Sequence, residues 1–231
     1  MNKILIITGA SKGIGFATAD YFNQNHWHII NISRSNSPFK NINIDLSEPN
    51  FSGILQEHLN KELKDAQQIC LVHNAAYHVN DTILDQDPVE LSKALNVSIV
   101  SSSILNQCII PFMKSGSSII YIGSTLSEKA VANAASYVIT KHATIGMMRA
   151  TCQDLAKHHI HTTCICPGFT NTEMLQHHLK NDPALIEFAK NKVGAERLIE
   201  PEEIAELIYF VANHQVINGA VIHANLGQLE T

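Results

Sequence analysis

Ile4 to Ile7 form an unbroken apolar run inside Lys3 to Thr8, without polar alternation, which is the pattern of a short strand buried on both faces. After a glycine-rich turn the spacing becomes helical, with Ile14, Ala17, Tyr21 and Phe22 recurring over Gly13 to Gln24. Short strands follow at His28 to Ser33 and Asn41 to Ile44. They are joined by Arg34-Ser35-Asn36-Ser37-Pro38, too short and too rich in turn formers for a helix, so the second crossover is abbreviated. The pattern then predicts a helix over Phe51 to Leu63, a strand over Ile69 to His73, a long helix over Pro88 to Cys108, a strand over Ser118 to Ile122 and a second long helix over Ser136 to His158. His161 to Cys166 reads as a strand stopped by Pro167-Gly168. Pro201 to Val211 reads as a helix with proline at its start and Glu202 and Glu203 in its first turn, and Val221 to Asn225 as the last strand. Strands alternating with helices from end to end predict an α/β fold, a doubly wound parallel sheet with helices on both faces. It forms a single domain over 1–231, without repeat or linker, and ligands are expected outside the carboxyl ends of the strands.

Composition narrows the class. With 45% hydrophobic and 16% charged residues the chain is globular rather than disordered, and a formal net charge of -5 offers no general attraction to nucleic acid or anionic lipid, so neither is expected as a partner. The five cysteines, Cys70, Cys108, Cys152, Cys164 and Cys166, are odd in number and scattered through apolar segments. That suits reduced buried thiols and a cytoplasmic location better than a disulfide framework. Only Ile4 to Ile7 are apolar before Thr8-Gly9, too short for the core of a signal peptide, and no later run is expected to reach membrane-spanning length.

Thr8-Gly9-Ala10-Ser11-Lys12-Gly13-Ile14-Gly15 places three glycines between a strand and a helix. Without side chains the backbone can approach a pyrophosphate, and the helix N-terminus favours its charge. A tight strand-to-helix turn is the plain alternative; position after the first strand favours a dinucleotide site. In dinucleotide folds a carboxylate at the end of the second strand binds ribose hydroxyls, whereas a basic residue accommodates the extra phosphate of NADP. Here the strand ends Ile32-Ser33-Arg34, and Lys12 adds a second positive charge, so NADP(H) is expected over NAD(H) unless both are ordinary surface cations.

Tyr137 and Lys141 lie one helical turn apart, on one face near the start of a predicted helix. A tyrosine ordinarily titrates at about 10, and a neighbouring ammonium favours its phenolate, which brings it closer to use as an acid and base. Ser124 follows Ile119-Ile120-Tyr121-Ile122 and Gly123 at a carboxyl edge of the sheet, where its hydroxyl can hold a carbonyl oxygen or simply shape a turn. Asn96 is a poor helix former within a long helix, so its amide is expected to bind a water or neighbouring backbone.

Taken together these residues resemble the short-chain dehydrogenase/reductase family, in its single-domain Rossmann-like form, over nearly the whole chain. The family's cofactor turn matches Thr8 to Gly15, implying contacts from Gly9, Ser11, Lys12, Gly13, Ile14 and Gly15, and its adenine-contacting aspartate matches Asp45, beside Leu46. Its Asn-Asn-Ala-Gly segment matches His73-Asn74-Ala75-Ala76, and its catalytic asparagine matches Asn96. Its serine matches Ser124, its Tyr-x-x-x-Lys matches Tyr137 and Lys141, and its Pro-Gly segment with a following threonine matches Pro167, Gly168 and Thr172. The resemblance implies that Tyr137 protonates a carbonyl oxygen as hydride arrives from the nicotinamide and that Ser124 polarises the carbonyl. It implies that Lys141 also binds the nicotinamide ribose and that Asn96 holds a water on the proton path. Asn74 and Ala75 would lie near the cofactor, Thr172 would contact the nicotinamide amide, and Arg34 and Lys12 match basic positions of NADP-preferring members. His73 and Ala76 depart from the usual asparagine and glycine, and Asn225-Leu226-Gly227 departs from the usual Asp-Gly-Gly.

Other features receive plainer readings. Among the 13 histidines, His158, His159, His161, His177 and His178 show no metal-ligand spacing, so no metal is expected and these side chains are expected to face solvent. Cys164 and Cys166 read as packed thiols on one strand face. Asn171 to Arg197, within a segment of about 169–200, is polar and helix-prone and occupies the place of the family's mobile substrate loop, with Met174, Leu175 and Leu179 as a possible apolar wall. Both long helices are apolar on more than one side, which, with the resemblance, implies a homodimer or homotetramer. The expected activity is interconversion of a carbonyl and an alcohol on a small molecule. The alternatives are a catalytically quiet NAD(P)(H)-binding sensor or scaffold, and, as a minor option, reduction of a carbon-carbon double bond.

Overall fold

The structure is a computed structural model and describes residues 2–228. Its strands are β1 (Lys3–Thr8), β2 (His28–Ser33), β3 (Lys40–Asn43), β4 (Gln68–His73), β5 (Ser118–Ile122), β6 (His161–Pro167) and β7 (Val221–Ala224). Its helices are α1 (Gly13–Gln24), α2 (Ser52–Leu63), α3 (Pro88–Leu95), α4 (Ser101–Ile109), α5 (Ala135–Leu155), α6 (Glu173–His178), α7 (Pro183–Asn191) and α8 (Pro201–Ala212). All seven strands pair in parallel in the order β3-β2-β1-β4-β5-β6-β7. The direction of winding reverses between β1 and β4, which opens a crevice at their carboxyl ends.

Alternation along the strands feeds two separate cores. Ile4 and Ile6 of β1 join Leu55, Leu59, Leu105 and Met148 under α2, α4 and α5, whereas Leu5 and Ile7 join Phe22, Ile204 and Ile208 under α1 and α8. This is why the run reads as continuously apolar: each successive side chain enters a different core. The expected α/β architecture with helices on both faces is present. Small boundary differences have local causes. β3 begins at Lys40 and stops at Asn43 because its register is set by pairing with β2, Ile30 against Lys40 through Ser33 against Asn43. Phe51 caps α2 instead of entering it.

The predicted helix from Pro88 to Cys108 is interrupted. Between α3 and α4 the chain makes a π-helical turn, Asn96–Val100, in which Ser101 N bonds Asn96 O. Ser101 and Ser102 hydroxyls donate to Val97 O and Ser98 O at 2.6 and 2.8 Å, serving carbonyls at the wider turn. Continued by a 3₁₀ turn to Phe112, the stretch Pro88–Phe112 has 25 residues, of which 18 in succession reach a mean hydropathy of 1.3, long and apolar enough by composition to cross a membrane. That corrects the expectation that no run reaches this length; in the fold it supplies Leu105, Cys108 and Ile109 to the core beneath the sheet.

All five cysteines are buried and free, with Cys164 and Cys166 Sγ atoms 3.9 Å apart, as packed thiols. His158, His159, His177 and His178 are exposed, but His161 is buried, with Nε2 2.8 Å from Val211 O, because β6 runs beneath the end of α8. His73 is also buried and stacks on Tyr121 at 4.8 Å. Its Nε2 donates to Asn106 Oδ1 at 2.9 Å, Asn106 Nδ2 donates to Tyr121 Oη at 2.8 Å, and Tyr121 Oη meets Thr151 Oγ1 at 2.9 Å. This chain ties β4, α4, β5 and α5 together. His73 Nδ1 is buried without a partner, so a second ring proton has no acceptor.

Burial accordingly lowers the His73 imidazole to about 4, against a hydrogen bond to Asn106 that acts the other way. Between about pH 6.5 and 4 the unfolded chain carries a proton at this position that the folded chain does not, so stability falls as pH falls through that window and is independent of His73 above it. The expected slope from this group is about 1.4 kcal/mol per pH unit. Urea titrations from pH 7 to 4 should show a shallower decline for His73→Asn than for the parent, His78 and His161 retaining their own share; parallel declines would place the acid sensitivity elsewhere.

Candidate cofactor and active site

The crevice holds a cavity of about 690 Å³. Its phosphate end is the glycine turn. Gly9 and Gly13 have φ of +72° and +56°, and a Cβ on Gly15 would lie 2.3 Å from Gly9 O and 2.5 Å from Asn74 Nδ2. No side chain fits at Gly15 without moving backbone. The first N–H groups of α1 have no carbonyl one turn back within the helix, and Lys12 caps it without a side-chain hydrogen bond. These open donors at a helix N-terminus, beside a backbone stripped of side chains, fit a pyrophosphate. Asn74 secures the turn: Nδ2 donates to Thr8 O and Gly9 O at 2.9 and 3.2 Å, while Thr8 Oγ1 accepts Asn74 N and Ala75 N at 3.0 and 2.9 Å.

At the edge of the sheet stand Arg34, Asp45 and Leu46. Both basic side chains are engaged: Arg34 lies 3.8 Å from Asp45, and Lys12 lies 2.6 Å from Glu173 of α6. Burial would raise the Asp45 carboxyl, but hydrogen bonds from Ser47 and the Arg34 charge outweigh it and hold it below the ordinary value. Asn96 is outside the cavity lining. Its Nδ2 donates to Ser47 O at 3.0 Å, so its amide binds neighbouring backbone, and it braces the loop that carries Asp45.

Tyr137, Lys141 and Ser124 line the opposite end together. Lys141 is only 4% exposed; its Nζ donates to Ile122 O at 2.8 Å and lies 5.4 Å from the Tyr137 ring centre. Ser124 is the N-cap of a 3₁₀ turn, accepting Leu126 N at 3.2 Å, which leaves its own hydroxyl proton to donate into the cavity. Gly123 has no room for a side chain, since a Cβ would lie 2.7 Å from Cys166 Sγ. Pro167, Gly168 and Thr172 line the β6 side. Thr172 caps α6 and packs on the glycine turn, its Cγ2 lying 3.3 Å from where a Gly13 Cβ would stand. Met174, Leu175 and Leu179 form an apolar wall. Of the residues singled out in the sequence for the cofactor and catalysis, Asn96 alone does not line the cavity.

Sequence reasoning missed several neighbours. Asp81 accepts Ser136 N at 3.0 Å and the Ser136 hydroxyl, satisfying the start of the helix that carries Tyr137. Burial would raise its carboxyl, but the bonds from Ser136 and Gln86 outweigh this and hold it low. His78 packs on the Tyr137 ring at 4.9 Å and His178 on His78 at 4.7 Å. Tyr77 Oη donates to Glu90 Oε2 at 2.6 Å beneath Lys93, which lines the cavity. None sits in a local motif; each meets its partner only through the fold. The one available signal was Asp81 itself, an acid in a loop of a chain whose long helix begins without its own capping side chain.

A family model described as "Enoyl-(Acyl carrier protein) reductase" matches residues 9–228. The 3-oxoacyl-[acyl-carrier-protein] reductase FabG of Vibrio harveyi is 26% identical over 239 residues, spanning 97% of this chain and 96% of that protein. Among solved structures, a short chain dehydrogenase family protein from Francisella tularensis has a TM-score of 0.89 at 25% identity, covering 98% of both chains. A 4-hydroxyisoleucine dehydrogenase complexed with NADH has a TM-score of 0.87 at 25% identity, again covering 98% of both.

The Asp81 cap generates a prediction. Asp81→Ala leaves Ser136 N without its partner at the buried start of α5, and should destabilise the protein by about 1–3 kcal/mol. Chemical denaturation measures this directly. A variant as stable as the parent would show that water replaces the carboxylate there.

Proposed function

The chain belongs to the short-chain dehydrogenase/reductase family, and we propose that within it the protein is an NADP(H)-dependent oxidoreductase that interconverts a carbonyl and an alcohol on a small molecule, with Tyr137 as acid and base. The observation that carries this reading is the shared cavity: the glycine turn at one end, Ser124, Tyr137 and buried Lys141 at the other. When bound, the nicotinamide supplies hydride to the carbonyl carbon or takes it from the alcohol carbon. Tyr137 Oη gives the carbonyl oxygen its proton, and the Ser124 hydroxyl donates a hydrogen bond to the same oxygen. Lys141, an ammonium one helical turn from Tyr137, stabilises the phenolate that remains and holds ribose hydroxyls. Asn96, whose Nδ2 braces the Asp45 loop, would also hold the water through which protons are replenished. Two donors at one end suit a carbonyl oxygen, with its two lone pairs.

The neighbour that holds NADH shows that the fold alone does not decide the 2′-phosphate. Charge supports NADP(H): Ser33 and Arg34 close β2 where a carboxylate would otherwise meet ribose hydroxyls. Arg34 is exposed and its pairing with Asp45 is long, so turning it to a phosphate costs little. Exposed Val100 and Ile139 on the two long helical stretches support a homodimer or homotetramer, and five free thiols support a cytoplasmic location.

Two measurements test this reading. Across a carbonyl panel with NADPH, Tyr137→Phe should lower kcat by a factor of about 100 or more while NADPH still binds. Turnover surviving the change sinks the mechanism, and cofactor binding without turnover of any compound by the parent favours a sensor. Arg34→Ala should lower the ratio of kcat/KM for NADPH to that for NADH by about tenfold, a loss typical of a charge-assisted contact. An unchanged ratio would make Arg34 an ordinary surface cation.

A further inference from the structure

His78 and His178 line the cavity, and the carbonyl chemistry uses neither. His78 lies on the segment between β4 and Asp81, against the ring of Tyr137; His178 ends α6 and meets His78 edge-on. Their ring nitrogens have no hydrogen-bond partner among the described residues. Each imidazole therefore presents an unused polar edge beside the proposed acid and base.

The charges around them are one-sided. Among the described residues, the lining contains Lys12, Arg34, Lys93 and Lys141 but only two carboxylates, Asp45 and Glu173. Those two belong to the cofactor end and are already paired, with Arg34 and Lys12. The groups facing His78 are His178 from α6, Tyr137 from α5 and Asp81 from its own segment. Asp81 is committed to the start of α5, with both oxygens held by Ser136. At the tyrosine end the lining thus has an ammonium and two ionisable rings with no free acid. No carboxylate of the lining stands at that end to repel an anionic substrate, and the Asp81 charge behind it favours a proton on His78.

We propose that His78 and His178 bind the carboxylate of a short oxo acid or hydroxy acid and hold its carbonyl carbon against Tyr137 and Ser124. This rests on Tyr137 marking the substrate end of the cavity. With His78 against the Tyr137 ring, the carboxylate belongs on a carbon next to the carbonyl or one further away. Without an anion, burial first and then the His178 charge keep His78 neutral down to about 4. An entering carboxylate offsets both, favours the imidazolium form and receives charge-assisted N–H bonds. Because His178 rides on the segment over the cavity, the same bond brings α6 onto the substrate.

The test compares 2-oxobutanoate and 3-oxobutanoate with their methyl esters, in calorimetric titrations of the full chain loaded with NADP⁺ and in turnover with NADPH. The parent should bind at least one of the acids about tenfold or more tighter than its ester, as expected for hydrogen bonds to a charged group. In His178→Gln and His78→Gln that preference should shrink to within about twofold. His178 is exposed, so its variant folds even where His78→Gln does not. Absence of acid binding, equal binding of acid and ester by the parent, or a preference that survives His178→Gln, overturns the inference. Equal reduction of acid and ester overturns it too, yet leaves the carbonyl reading standing. Acid-selective binding that depends on the histidines, without reduction of any compound, supports the inference and overturns that reading.

Discussion

Asn74 donates its amide to Thr8 O and Gly9 O, while the Thr8 hydroxyl accepts the backbone N–H groups of Asn74 and Ala75. These bonds join β1 and β4 just beyond the last ladder bond, at the place where the crossovers depart in opposite directions. Strand pairing alone leaves that gap open, since each ladder ends with its strand. Once the gap is closed, the start of α1 comes so near that only glycine is possible at position 15. The first residues of the helix then line the cavity, where their N–H groups suit a phosphate. Asn74 thus couples sheet topology to ligand chemistry, and a shorter or apolar side chain there leaves two buried-side carbonyls without a donor.

Much of this was legible because it is local. Ile4 to Ile7, the glycine turn and the Tyr137 and Lys141 pair each depend on spacing within one element. The role of Asn96 was not legible, because its amide bonds Ser47 from a different part of the chain. Asp81 and Ser136 illustrate the same limit: the start of α5 is satisfied by a carboxylate from the loop after β4, so its own sequence has no capping signal. The solvent-facing reading of His161 failed for a related reason. Histidine is amphipathic, and strand membership, which the sequence did reveal, outranked its polarity once Val211 O was available as a partner.

The segment between β6 and α8 is attached at more places than its composition suggests. Thr170 and Ile199 form an isolated bridge that draws its two ends together, Thr172 packs on Gly13, and Glu173 pairs with Lys12. An exposed ion pair of this kind contributes little to stability. Its significance is positional: it joins the glycine turn to the first turn of α6 through one cation, Lys12.

The stretch from His73 to Asp81 reaches both ends of the cavity. Asn74 sets the glycine turn, His78 packs on Tyr137, and Asp81 holds the helix on which Tyr137 stands. Both departures from the family's Asn-Asn-Ala-Gly pattern fall in this stretch, yet their consequences differ. His73 turns away from the cavity into the β4 to α5 network, where its ring fills space against Tyr121 and bonds Asn106. Ala76 lines the cavity itself. The first departure therefore bears on how firmly β4 is held, the second on what shape of ligand the cavity admits. His73 ends β4 and the loop that follows carries Asn74, Ala76, His78 and Asp81, so one short stretch of chain supplies residues to both ends of the site.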